Sequence, residues 1–367
     1  MQINTCYHKK LKSLILFLFF LSFIFCLSRN VYASEINNPE DLIWEFNQCV
    51  NEKNLDEYID LFVPEMQILM KEHIQRNGSD NFFQETNRTI IKIEETDYTG
   101  SPIEKEKFDE IIAYRVKENV IYDENIYTGP ETIKSGEHYF DYIFAKQDGK
   151  FGLYRVSISD TSKTEKTDLE VSSDENIRNT QSLSCPSTTT IYFTKQANIS
   201  YWGYQSYTMS FQNMYLKNVL PNEWIISYYS LTAYAKASAI ASKTYAWYYT
   251  IHPKWMSAPY YACMFDNESD QHYLCSAYSN LNSSTYQGYV DTALSFASNR
   301  VMVINGTNNI LETHYYQNTG SYHSGAMNAT ECLAKAQAGD PYYTILHYYY
   351  DNSQYTGTSN AMGIAVY

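Results

Sequence analysis

Neither half of this 367-residue chain carries an excess of basic residues. Residues 34–200 hold 17 basic and 32 acidic groups, and residues 201–367 hold 6 and 9. A phosphate backbone is neutralised by clustered Lys and Arg, so this balance argues against a nucleic-acid partner. Long apolar runs are equally scarce. Only residues 14–27 form one, which excludes a polytopic membrane protein. Carboxylates thin out toward the C-terminus, with nine in residues 201–367, so an acid catalyst there has few candidates. Disorder is excluded from the other side. Hydrophobic residues make up 44% of the chain and aromatics 16%, more than a chain without a core carries.

What is present is unevenly placed. The net charge of −14 hides a leader, residues 1–33, with four basic groups and no acidic one. Residues 201–367 hold 26 of the 37 tyrosines and four of the five tryptophans. The chain reads as a basic leader, a charged acidic half and a near-neutral aromatic half.

Lys9, Lys10 and Lys12 precede the apolar run of residues 14–27, which only Ser22 interrupts. Val31-Tyr32-Ala33 supplies small residues where a signal peptidase reads, so cleavage is expected after Ala33. The alternative is an uncleaved anchor, for which the run is short of the ~20 residues of a membrane span. Phe25 before Cys26 is too bulky for a lipid-attachment site. The heavy use of Asn, Ile, Tyr and Lys suits an AT-rich bacterial genome, and the expected location is the cell wall or the outer face of the membrane of a Gram-positive bacterium.

Residues 34–160 read as an accessory α+β domain. Asn38-Pro39-Glu40-Asp41 is a helix start with a capping side chain, Pro in the first turn and acids at the positive dipole end. Leu42, Ile43, Phe46 and Val50 follow at helical spacing, and further helices are expected over 55–62 and 65–75. The period then changes to two, predicting strands over 89–96, 111–120, 138–145 and 151–159. Asp148-Gly149 joins the last two as a hairpin turn. Helices followed by a strand meander resemble the nuclear-transport-factor-2-like cone fold, a helix-plus-curved-sheet scaffold. His73 and His138 read as surface or hydrogen-bonded side chains, and the domain as a spacer or protein-binding module. Residues 161–190, polar and without apolar periodicity, read as a flexible tether.

In residues 191–367, Val219-Leu220-Pro221-Asn222-Glu223-Trp224 is followed by helix formers and small residues over 230–251. That helix carries Leu231, Ala233, Ala235, Lys236, Ala237, Ala239, Ala241, Ser242, Lys243, Thr244 and Tyr245; Ala is the best helix former, and small side chains admit a close neighbour. A P-x-E segment before an alanine-rich helix resembles the stage II sporulation protein D family, the LytB-type amidase-enhancer domain. Further matches are the amphipathic segment 289–296 before a turn and an expected hairpin of strands 300–304 and 310–316. The polar stretch Gln317 to Ser321, followed by Tyr322-His323-Ser324-Gly325, and the tyrosine-rich segment 339–350 complete the resemblance, which spans residues 191–351. Lys243 stands where the family has Arg, and its serine cluster is reduced to Thr319 and Ser321. The resemblance implies a second α+β domain built around the alanine-rich helix.

Most carboxylates of this half lie among polar residues, where a solvated face is expected. Glu223 is the exception, flanked by Val219, Leu220, Trp224, Ile225 and Ile226. A carboxyl held against apolar groups has a raised pKa, as a general acid requires. The competing reading makes Glu223 a favourable acid opening the next helix. The resemblance implies a lytic transglycosylase that cuts peptidoglycan glycan strands stripped of their peptides. Glu223 would protonate the glycosidic oxygen, then as carboxylate take the proton of the muramic acid C6 hydroxyl and close an anhydro ring. Trp224 and Tyr245 are the expected sugar-binding aromatics, with Thr319, Gly320 and His323 in the polar turn.

Five cysteines follow the leader: Cys49, Cys185, Cys263, Cys275 and Cys332. Cys263, His272 and Cys275 form a C-x8-H-x2-C pattern. Zinc bracing the loop, a Cys263–Cys275 disulfide and free thiols all fit it, and the chemistry itself requires no cofactor. Two functional classes fit the whole: a transglycosylase, or a non-catalytic wall-binding module that enhances an N-acetylmuramoyl-L-alanine amidase. A structural envelope protein is a third.

Overall fold

The computed structural model describes residues 38–98, 102–131, 133–159, 183–194, 205–316, 325–355 and 362–367. The leader, most of the tether and the polar turn with Thr319, Gly320 and His323 lie outside the described residues. The architecture is mixed α+β, as the sequence predicts, with one four-stranded sheet and several small ones. Among the described residues no helix is long and apolar enough to cross a membrane.

The N-terminal half opens with helices α1 (Pro39–Glu52), α2 (Leu55–Asp60) and α3 (Pro64–Asn77). Asn38 caps α1 through its side chain, which accepts from the Glu40 N–H. Strand β1 (Glu85–Thr96), helix α4 (Pro102–Lys107) and strands β2 (Glu110–Tyr122), β3 (Gly136–Gln147) and β4 (Lys150–Ile158) follow. The strands pair antiparallel in chain order. All four expected strands are present; β1, β2 and β3 are longer than their alternation suggests, and β4 has the expected length but starts one residue earlier. Asp148 and Gly149 both take positive φ, 54° and 79°, the backbone that matches the twist of a two-residue hairpin.

Phe46, Tyr58, Phe62, Met70, Val116, Phe140 and Val156 fill the space between helices and sheet. A charge cluster shares this interior. Arg88 is fully buried between Glu85 (3.1 Å) and Glu118 (2.5 Å), and its guanidinium lies over the rings of Phe46 and Phe140. Tyr142 and Asn47 donate to the remaining Glu118 oxygen.

The C-terminal half begins with β5 (Thr188–Tyr192) and β6 (Ser206–Ser210), then a π-helical turn over Phe211–Leu216 that runs into α5 (Lys217–Glu223). A 3-10 turn (Ile226–Tyr228) leads to α6 (Thr232–Ile251), β7 (Met264–Phe265), α7 (Ser284–Ala297), β8 (Arg300–Ile304), β9 (His314–Tyr316) and β10 (Ala326–Asn328). Helices α8 (Ala329–Gln337) and α9 (Tyr342–Tyr350) and strand β11 (Met362–Val366) complete it. Helix α6 is the alanine-rich helix of the sequence, and from Ala237 to Thr250 every residue is buried. A helix buried on all sides is an interior helix, and α7, α8, α9 and β8 pack around it. Buried Lys243 donates to the carbonyls of Ala297 (2.7 Å) and Ser298 (2.7 Å) at the end of α7. Burial pushes its ammonium down to about 8.

Three expectations are corrected. The tether does not extend to residue 190, because Thr188–Thr190 already belong to β5 and pair with β6. The hairpin of 300–304 and 310–316 is reduced to its turn end, where Val303 and Ile310 form one bridge. Beyond it β9 pairs parallel with β10, and β8 pairs antiparallel with β11. The two halves are also not joined by a tether alone. Residues 253–265 leave α6 as a finger whose Trp255, Met256, Ala258, Tyr260 and Tyr261 are buried in the N-terminal core. Its base lies on the open edge of β4, with Ile158 N–H donating to the Pro253 carbonyl (2.8 Å) and Met256 N–H to that of Val156 (2.7 Å). That edge is thereby covered, as sheet edges need to be.

Candidate functional site

Glu223 is the last residue of α5, and the chain leaves the helix in extended geometry at Trp224. The next helix opens only at Thr232. Glu223 therefore stands at the negative end of a helix dipole, not the positive end, and its reading as a helix-opening acid is overturned. The side chain keeps part of its surface open, while the volume around its carboxyl is largely protein. The backbone N–H of His272 donates to Oε1. Burial pushes the carboxyl up to about 7, against the opposing pull of that N–H.

The neighbours form a connected layer. Gln271 is buried, and its Nε2 donates to the Ser242 carbonyl (3.0 Å) and the Tyr315 hydroxyl (2.7 Å). Its Oε1 accepts from the Tyr215 hydroxyl (2.9 Å). The phenols of Tyr215 and Tyr315 both lie within electrostatic reach of Glu223. Trp224 donates from Nε1 to Ser242 Oγ (2.8 Å), and its ring lies 5.0 Å from that of Tyr315. A half-open acid thus rests on a floor of fixed aromatic and amide groups supplied by the π-turn, α6, β9 and the loop after β7.

Trp224 and Tyr245 take other places than a sugar platform. Both are almost fully buried. Trp224 supports the floor from beneath. The Tyr245 hydroxyl donates to Asp270 Oδ1 (3.0 Å) and accepts from Lys254 Nζ (2.8 Å). Nor are the other carboxylates of this half all solvated, since Asp266, Asp270 and Glu312 are buried. Asp266 accepts from the backbone and hydroxyl of Thr194 (2.8 and 2.6 Å). Glu312 accepts from the Tyr249 hydroxyl (2.7 Å), and Asp270 is paired with Lys254 (2.5 Å). Among these Glu223 alone combines a strongly raised proton affinity with an open side.

Cys263, His272 and Cys275 are not assembled as a ligand set. Among the described residues no three His, Cys, Asp or Glu side chains are grouped for a metal. Cys263 is buried with its thiol toward the Thr250 carbonyl, and burial pushes that thiol up to about 11. The His272 ring is exposed, and both cysteines are free thiols. Among the described residues these three side chains are not grouped around a common point, and Cys263 and Cys275 are not joined.

A cleft of about 330 Å³ lies elsewhere, between α3 and the residues around β7, with Glu72, Trp255, Phe265 and Asn267 in its walls. None of the Glu223 floor residues lines it. Tyr215, Gln271 and Tyr315 are absent from the sequence reading, because only the tertiary fold links positions so far apart in the chain. The one linear hint is that Gln271 precedes His272 in the loop proposed for zinc. No family model, curated protein or solved structure matches the chain.

Proposed function

We propose that the protein is an exported lytic transglycosylase acting on peptidoglycan glycan strands stripped of their peptides. The observation that carries this reading is Glu223, a half-open carboxyl with its proton affinity raised to about 7, in the P-x-E segment that resembles the stage II sporulation protein D family. At neutral pH such a group exists in both forms, which suits an acid that later serves as base. Protonated, Glu223 gives its proton to the glycosidic oxygen. Ionised, it takes the proton of the C6 hydroxyl as the anhydro ring closes. One carboxyl performs both steps, so the paired carboxylates of hydrolytic glycosidases are not required. The His272 N–H stabilises the ionised form between the two steps.

In this reading the N-terminal half is the cone-like accessory domain, with the Arg88 cluster in its interior. A second reading, a non-catalytic wall-binding module that enhances an amidase, draws on the amidase-enhancer branch of the same resemblance. Incubating the mature protein with denuded strands separates the two readings. Anhydromuramyl products support the enzyme, whereas strand binding without products supports the module.

A further inference from the structure

The loop that touches Glu223 is held from the other half of the molecule. Asp270 is buried and accepts from four donors: Lys254 Nζ (2.5 Å), Tyr245 hydroxyl (3.0 Å), Trp255 Nε1 (2.6 Å) and the Phe265 N–H (2.7 Å). The next two residues are Gln271 and His272, the amide fork of the floor and the N–H donor to Glu223. On the far side, Lys254 and Trp255 lie in the segment seated on the β4 edge. Trp255 also meets β4 through the ring of Tyr154 (6.1 Å) and the guanidinium of Arg155 (5.8 Å). Arg155 is itself fixed by Glu104 of α4 (3.0 Å). A continuous set of contacts runs from the N-terminal sheet through Lys254 and Trp255 to Asp270, and from there to the acid.

From this geometry we infer that Asp270 is a positioning residue, which locks the 266–272 loop onto Glu223 and makes the N-terminal half part of the site's framework. The inference builds on the proposed role of Glu223, since that is the site positioned. Asp270 has no contact with Glu223 among those described; it acts through the backbone of its two successors. A carboxylate suits this task because charge-assisted bonds to several donors are stronger and stiffer than neutral ones.

The test uses the mature full-length protein and two variants. Asp270→Asn removes the charge, and Trp255→Phe removes a single donor while leaving the ion pair, should Asp270→Asn fail to fold. In Asp270→Asn, kcat on denuded strands is expected to fall about 100-fold with KM within about twofold, as for misplacement without lost substrate contact. In Trp255→Phe the fall is about tenfold. By hydrogen exchange, segments 266–273 and 217–226 quicken together while β1–β3 stay unchanged. Unchanged kcat per folded molecule overturns the inference. So does loop exchange that quickens without segment 217–226, or a uniform quickening of the whole chain. The exchange readout needs no substrate, so if wild type cleaves no glycan the proposed reaction fails and the exchange pattern still decides the positioning role.

Discussion

His272 meets Glu223 with its backbone N–H, not with its imidazole, which remains exposed. The loop proposed for a metal is thus the loop that touches the acid, and its contribution is a fixed dipole. A carboxyl raised by burial and opposed by the His272 N–H is a group whose state can be followed by pH.

The sign of that dependence follows from the raised affinity. Between the ordinary value of 4.5 and about 7, the folded protein holds a proton that the unfolded chain has released. Stability from this group is complete below 4.5 and declines as pH rises to about 7. In Glu223→Gln that decline disappears, and melting temperatures from pH 4 to 8 check it. Catalysis by the protonated acid falls about tenfold per pH unit above 7, read from kcat/KM.

Trp224→Phe loses the bond to Ser242 and is expected to lower stability by about 1–2 kcal/mol. The Kd for denuded strands stays at the wild-type value, because the ring is buried. Weakened strand binding at unchanged stability would make Trp224 a sugar contact after all. Denaturant unfolding and a pull-down on strands provide the two numbers.

Lys243 serves as the donor that closes α7, the place where the family resemblance has Arg. Lys243→Ala leaves the carbonyls of Ala297 and Ser298 without it, at a cost of about 1–3 kcal/mol. Turnover per folded molecule is retained, since Lys243 reaches away from the Glu223 floor. Urea unfolding with activity normalised to the folded fraction checks both statements.

Metal removal is expected to change nothing. Purified protein carries no zinc at unit stoichiometry, and neither chelator nor Cys275→Ser shifts the melting temperature. Stoichiometric zinc lost in Cys275→Ser would show that the loop rearranges around a metal.

Much of the N-terminal half was legible because its sheet faces two environments. Alternation marked β1 to β4, and Asp148-Gly149 marked their tightest turn. Helix α6 was legible from composition, and Glu223 from its apolar flanks. The rest depends on partners distant in the chain. Nothing near residues 300–304 announces that β11 supplies their strand partner. Lys254 and Asp270 look like solvated charges in sequence, yet they pair inside the protein. Trp224 and Tyr245 are buried where the sequence suggested sugar-binding rings, because sequence cannot tell an open ring from a buried one.

The most direct measurement is product analysis on denuded glycan strands with wild type and Glu223→Gln, each verified as folded. The account predicts anhydromuramyl ends from wild type and a loss of at least about 1,000-fold in the variant, the scale of removing a principal acid–base group. Equal product release from Glu223→Gln would contradict it, as would strands left intact by wild type.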